Sequence, residues 1–356
     1  VKDGPGEFGV VAIGRNEGER LKRCLRSALA GTPRVVYVDS GSTDGSVEFA
    51  RSVGVDVVAL DVSRPFTAAR ARNAGIRRLV ERWSEVEFLQ VVDGDCEFEA
   101  GWFASALEYL GEHPRAAVVC GRRRERQPGL SVYNRLIDLE WDTPVGDAKA
   151  CGGDAMFRRE AFEVAGGYRD ALIAGEEPEL CVRLRSEGWQ VHRLGVEMTR
   201  HDADMTRFSQ FWKRAKRAGH AYAEGAAIHG KGPDRHGVKG VRSALVWGAV
   251  LPSAALVGAG AAGLLGAWSV AGTVLAAVVG LYVAQASRIG RRERARGRSP
   301  GDARLVAWFV LAAKPAQVAG IVLYWRRRLL QQQSSLIEYK APPPGGQPEI
   351  PGGARG

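Results

Sequence analysis

Between Arg242 and Arg288 the chain carries no charged side chain for about 45 residues. A helix needs ~20 apolar residues to cross a bilayer, so this stretch has the length of two passes. A buried helix pair inside a soluble domain is the alternative, but the run is too long and too rich in Ala, Gly and Val for that. The spacing predicts passes over 243–263 and 267–287, joined by a hairpin at Gly263 to Gly266. Arg235, Lys239 and Arg242 precede the run, and seven arginines lie between Arg288 and Arg304. Positive flanks stay on the cytoplasmic side, so both ends are predicted there, on a cytoplasmic (inner) membrane. A third apolar segment, 305–325, is broken by Lys314-Pro315. Charge at bilayer depth is costly and proline breaks the helix ladder, which favours an interfacial or re-entrant helix over a full span. The chain thus divides into a domain over 1–232, a membrane region over 233–330, and a Pro- and Gly-rich tail over 331–356 that reads as mostly disordered.

The formal net charge is +10, but it is uneven. The basic clusters, including Arg326-Arg327-Arg328, flank apolar segments. That makes membrane lipids the expected partner and argues against nucleic acid. Five scattered cysteines without a CxxC pair argue against a structural zinc site or disulfide framework and suit a reducing compartment. No apolar leader is visible, and the Val1 start suggests a trimmed chain or fragment.

The first 230 residues alternate between strand-like and helix-like stretches. Strands are predicted at 9–13, 35–38, 55–60 and 88–92, with helices at 19–30, 45–53 and 68–82. The helical spacing of Leu21, Cys24, Leu25, Ala28 and Leu29 is clear, and Ser42-Thr43-Asp44 can cap the second helix. Such alternation predicts an α/β domain with a mostly parallel sheet between helices, binding ligands at the carboxyl ends of its strands. Asp39 ends one such strand. Its carboxylate could accept hydrogen bonds from a nucleobase or ribose, or simply close a turn. Asp93-Gly94-Asp95 ends another. Two carboxylates two residues apart repel each other, and a divalent cation with its bound phosphates relieves that. A polar turn is the plainer reading of the pair alone.

Several pieces in order resemble a family 2 glycosyltransferase with the GT-A fold, over the first 220 or so residues. They are Ile13-Gly14-Arg15-Asn16-Glu17, the Asp39 to Gly45 turn, Asp93-Gly94-Asp95, Cys151-Gly152-Gly153-Asp154, Gly166-Gly167-Tyr168, and Gly175-Glu176-Glu177-Pro178-Glu179-Leu180 with Arg183. The membrane segments are similar to those of cellulose-synthase-like enzymes, though fewer. The resemblance implies a GT-A nucleotide-diphospho-sugar transferase domain followed by a small α-helical membrane region.

It also implies roles. Glu17 and Asp39 would hold the nucleoside of a nucleotide-sugar donor. Asp93 would lie near the ribose and metal, and Asp95 would ligate Mg2+ or Mn2+. Glu177, beside Glu176, stands where the family carries its catalytic base, with Glu where Asp is common. A solvated helix start is the alternative for this pair. Gly152 and Gly153 resemble an acceptor-contacting loop, and Asp154 would reach donor or acceptor or else serve the turn. His201 could be a further metal ligand or an ordinary hydrogen bonder. Gln210 to Arg214 imperfectly matches a synthase motif: Lys213 and Arg214 would bind diphosphate, and Trp212 would stack on sugar or lie on the membrane. Arg122 to Arg126 reads as a solvated or headgroup-facing loop.

The implied activity is inverting transfer of a sugar to a hydroxyl of a lipid-linked or polysaccharide acceptor at the cytoplasmic membrane face. The alternatives are a non-catalytic nucleotide-sugar-binding component of a synthase complex and a nucleotidyltransferase. No Gly-x-Gly-x-x-Gly follows the first strand, which disfavours a dehydrogenase. Two predicted passes seem few for a secretion channel, so a single-sugar transfer or a polysaccharide-synthase partner is expected. The Gly/Ala-rich hairpin offers a route to a homo-oligomer.

Overall fold

The structure, a computed structural model, describes residues 7–61 and 63–332. The tail expected to be disordered lies outside the described residues, apart from Gln331 and Gln332.

The chain begins with alternating units: β1 (Phe8–Gly14), α1 (Glu19–Leu29), β2 (Val35–Asp39), α2 (Ser46–Ser52), β3 (Asp56–Ala59), α3 (Ala68–Arg82) and β4 (Phe88–Asp93). Each matches an expected element to within a few residues. β2 is buried from end to end, and β1 and β4 are buried up to their last positions, as strands covered on both faces require. The first turn of α2 is held by Asp44, whose Oδ1 accepts from the Ser46 amide while Oδ2 accepts from Gly18. Thr67 caps α3 by accepting from the Arg70 amide. Gly75 lets α3 settle onto the sheet, since a Cβ there would collide with Val11 and Val38.

There follow β5 (Cys96–Phe98), α4 (Trp102–Glu112), β6 (Ala116–Glu125), α5 (Val132–Trp141), β7 (Gly146–Asp147), β8 (Ala155–Arg158), α6 (Arg159–Val164), α7 (Glu176–Ser186), β9 (Gln190–His201) and α8 (Phe208–His229). The sheet runs β3-β2-β1-β4-β8-β6-β9-β5, with β7 on β9. Only part of it is parallel. β3, β2, β1 and β4 form a parallel block, and β6 with β9 another, but β8 lies antiparallel between the blocks. A four-residue strand is too short to announce itself by periodicity. Arg122 to Glu125 belong to β6, so the loop expected there is a strand end.

Three helices, Val238–Leu264, Trp268–Ala295 and Pro300–Leu329, are long and apolar enough to cross a membrane by length and composition. The first two join through a tight turn with Gly266 in the left-handed region. A π-helical turn at Val246–Val250 precedes Pro252, which lacks the amide an α-helix would use there. The third helix is interrupted at Ala313, before Lys314-Pro315. Lys314 is buried and its ammonium donates to Gln317. Half of this helix's apolar window is buried, against about a tenth for the other two. α8 covers it. Gly219 meets the Gln317 carbonyl and Gly320 meets the Lys216 carbonyl, closer than any Cβ permits. Two glycines thus set the crossing of α8 with the third apolar helix. Gly320→Val should lower the thermal midpoint by the equivalent of about 1–3 kcal/mol or more. Gly280→Val, where a Cβ meets nothing within 4 Å, should leave it unchanged.

α8 also carries a buried pair, His220 and Glu224. Burial, then the Arg327 charge, pushes His220 down to about 4, so the ring is neutral near pH 7. Burial pushes Glu224 up to about 7. Its Oε2 lies 3.5 Å from His220 Nδ1, a contact between neutral groups below pH 7. A carboxyl raised in the folded state favours folding at low pH, and that advantage is lost as pH rises from about 4.5 through about 7. Glu224→Gln should therefore raise the melting temperature at pH 8, by the equivalent of roughly 1–3 kcal/mol. The gain should fade toward pH 5, as read by unfolding scans across that range.

Candidate functional site

Sheet register brings the acidic residues together. Gly14 pairs with Asp39 on one side of β1 and Ile13 with Asp93 on the other, so both aspartates close parallel strands at the same edge. Glu17 lies in the adjoining loop, where its side chain packs against Gly14 and Gly94 and its carboxylate meets Arg20 at 2.9 Å. Asp39 shapes the turn it opens: Oδ2 accepts from the Gly41 and Ser42 amides and Oδ1 from the Tyr37 hydroxyl. Burial, chiefly, holds that hydroxyl's pKa far above its ordinary value, which keeps it a donor.

At the centre stands Arg72 of α3, with 2% of its side chain exposed. One amino group binds Asp93 at 2.7 Å and the other binds Glu176 of α7 at 2.5 Å. Burial works against the guanidinium charge, but Asp93 and Glu176 outweigh it and hold its pKa above the usual value. Arg123 of β6 approaches from the other side. It binds Asp154 at 2.6 Å, lies 3.8 Å from Asp93, and stacks over Trp141. Asp93 keeps about a third of its side chain exposed. Neither arginine stands out in the sequence: Arg72 sits in an arginine-rich helix, and Arg123 in the segment expected to be a solvated loop.

Asp95 is almost wholly buried. Its Oδ2 lies 3.2 Å from His201 Nε2 at the end of β9. Asp95, Cys96 and His201 together offer three ligand atoms within 4.8 Å of one another. On the far side of the ring, Glu125 lies 3.7 Å from Nδ1, and this nitrogen, buried, has no hydrogen-bond partner. Cis ligands at ~2.1 Å from one ion stand about 3 Å apart, so the Asp95–His201 spacing fits a small divalent cation. A carboxylate oxygen and an imidazole are suitable donors for Mn2+, and a carboxylate for Mg2+. Glu125, fixed by the Ala203 and Gln127 amides and by Asn134, would steady the histidine.

Glu177 begins α7 beside Glu176. Its Oε1 accepts from the Cys151 amide at 2.7 Å and from the Cys181 thiol at 2.9 Å, and Oε2 accepts from Gly152 at 2.9 Å. It is 1% exposed, against 8% for Glu176. Burial pushes its pKa up, and the Cys181 thiol and the two amides offset that only in part. Each carboxylate oxygen has two lone pairs, so Oε2 keeps one beyond the Gly152 bond. Gly152 is in the left-handed region and a Cβ there would meet open space. Gly153 instead abuts Asp93, Arg123 and Arg72, 2.9 to 3.1 Å from a built Cβ. The glycine pair joins the acidic cluster to an open face.

The structure departs from several expectations. Asp154 has no exposed surface; it binds the Asp93 amide, Arg123 and Thr199 and so organises the cluster from inside. Arg214 binds Glu140 at 2.6 Å, Lys213 is exposed on α8, and Trp212 packs with the cluster of Leu136, Phe211 and Phe309. No described contact brings these three to the carboxylates.

Removing Arg72 should leave Asp93 and Glu176 without their shared counter-charge. Arg72→Met should cost about 3–5 kcal/mol of stability in denaturation experiments. Arg72→Lys should recover only part, because one ammonium cannot reproduce the two-pronged fork.

Residues 10–165 match the model of glycosyl transferase family 2. A TPR repeat-containing protein of Synechococcus elongatus is 26% identical over 195 residues, 55% of this chain and 42% of its own length. A pre-mycofactocin glycosyltransferase of Mycobacterium tuberculosis is 27% identical over 206 residues, 54% of this chain and 42% of its own. The chain thus spans less than half the length of these relatives. The fold is shared with mannosyltransferase PcManGT from Pyrobaculum calidifontis, solved with GDP-Man and Mn2+, at a TM-score of 0.56, with 19% identity, 90% of this chain and 87% of that one.

Proposed function

We propose, for a chain whose residues 10–165 form a glycosyl transferase family 2 domain, that it moves a sugar from a nucleotide-sugar donor to a hydroxyl group, with inversion at the anomeric carbon. The observation that carries this reading is the joint of Arg72, Asp93 and Glu176, which ties the rim of the parallel strands to the helix bearing Glu177. The GDP-Man and Mn2+ bound by a structure of the same fold support a nucleotide-sugar donor and a divalent cation.

In this reading Glu17 and Asp39 face the nucleoside. Asp95 and His201, with Asp93 nearby, hold Mg2+ or Mn2+. The cation, when bound, offsets charge developing on the leaving diphosphate. The acceptor enters over Gly152, whose outer face is open. Glu177 takes its hydroxyl proton as that oxygen bonds to the anomeric carbon. The bond from that carbon to the diphosphate oxygen breaks, and a nucleoside diphosphate leaves. Burial raises the proton affinity of Glu177, as a general base near neutral pH needs. The three apolar helices support a lipid-linked or polysaccharide acceptor, met at the cytoplasmic face of the inner membrane.

A donor screen with the full chain in membranes should release free nucleoside diphosphate, and a chelator should stop it. Release of pyrophosphate would point to a nucleotidyltransferase, and no release to a binding component. Glu177→Gln should cut turnover by at least about 100-fold while leaving donor affinity unchanged. Full turnover in that variant, with loss in Glu176→Gln, would move the base to Glu176.

A further inference from the structure

The cytoplasmic ends of the membrane helices carry a feature that sugar transfer does not use. A groove of about 410 Å3 runs between the helices Trp268–Ala295 and Pro300–Leu329. Its lower part is apolar, with Val283 and Ala307. Its upper part holds Arg291, Arg294 and Arg304, and Trp308 stands on the opposite wall from Val283. The helical period explains the arrangement. Residues 283, 287, 291 and 294 share one stripe of the first helix, and 300, 304 and 308 one stripe of the second.

Depth identifies what the groove meets. From Trp268 to Ser287 there are 20 residues without charge. At ~1.5 Å per residue that is about 30 Å, the hydrocarbon thickness of a bilayer. Arg291 and Arg294 then lie one to two turns further on, at headgroup level. Trp308 is half-exposed, as in an aromatic belt. Nearby arginines have protein partners: Arg298 binds Glu293, and Arg135 binds Asp302. Arg291, Arg294 and Arg304 are exposed, and no described residue forms an ion pair or side-chain hydrogen bond with them. Three arginines lining one groove without a carboxylate suit a phosphate.

We propose that this groove binds one anionic phospholipid, its phosphate held by Arg291, Arg294 and Arg304 and an acyl chain lying along Val283 and Trp308. The occupant is an anionic phospholipid of the bilayer because the apolar wall is continuous with the exposed outer faces of the helices, which carry Val279 and Leu281. Diffuse attraction of basic residues to a membrane would not single out these three.

The test uses the full chain in phosphatidylcholine nanodiscs with a few per cent brominated lipid. Bromine quenches a nearby indole, and the Trp308 signal is read as the difference from Trp308→Phe. Brominated phosphatidylglycerol should quench Trp308 at least about fivefold more than brominated phosphatidylcholine, the preference that ~1 kcal/mol from a single basic residue near the surface already supplies. Arg291→Gln/Arg294→Gln/Arg304→Gln should bring that ratio to about one. Arg288→Gln/Arg292→Gln/Arg326→Gln, removing equal charge from exposed positions off the groove, should retain it. A groove variant that keeps the preference, or a control variant that loses it equally, would overturn the proposal. So would abolition of the preference by inorganic phosphate, or displacement by polyprenyl phosphate at equal mole fraction. The first would make this a soluble-anion site and the second a carrier-substrate site.

Discussion

A buried guanidinium joins Asp93, at the end of β4, to Glu176, at the start of α7. The two carboxylates come from strand and helix segments separated by more than eighty residues, and each would resist burial alone. Arg72 removes both penalties at once. Its planar guanidinium also fixes direction, because each amino group points to a different carboxylate. The cost of burying three ionised groups is high, so such a joint is a weak source of stability. What it supplies is position. Glu177 follows Glu176 directly, so wherever Arg72 anchors the first glutamate, the second is delivered to the Cys151–Gly152 amides.

The second constraint is the glycine pair. Gly153 must approach Arg72, Arg123 and Asp93 more closely than a side chain allows, and Gly152 must take a left-handed backbone. These demands explain why the segment cannot be an ordinary turn. One glycine closes the loop onto the acidic cluster and the other leaves the outer face clear. Asp154 completes the arrangement from inside by holding the Asp93 amide and Arg123. Polar groups buried together depend on one another, so the loss of one member leaves its partners unpaired.

Much of this was legible in the residues and some was not. The parallel block was visible because β1, β2 and β4 are continuous buried runs and α1 has clear helical spacing. The two long apolar helices were visible because charge stops at Arg242 and resumes at Arg288. The antiparallel β8 was hidden by its length of four residues. Arg72 and Arg123 were hidden because arginine is common on solvated faces, and nothing local marks one that turns inward. Asp154 was misread for the converse reason. An aspartate after two glycines reads as reaching donor or acceptor or as serving the turn, and only the tertiary partners Arg123 and Thr199 show it turned in. Lys213 and Arg214 were assigned from an imperfect motif; α8 directs Arg214 to Glu140 and leaves Lys213 exposed.

The sheet's rim is also tied to the apolar helices. α8 follows β9, the strand that ends in His201. Its glycine crossing with the third apolar helix leaves no room for side chains to slide. The same helix continues from Pro300, where Asp302 binds Arg135 of α5. α5 in turn ends in Trp141, which lies edge-on to His201 and under Arg123. Two packed paths therefore run from the apolar helices to the metal-competent histidine, one through α8 and one through α5. A path made of close backbone contacts and paired charges is stiff. The position of the apolar helices is therefore transmitted to the acidic cluster and to the glycine loop beside it.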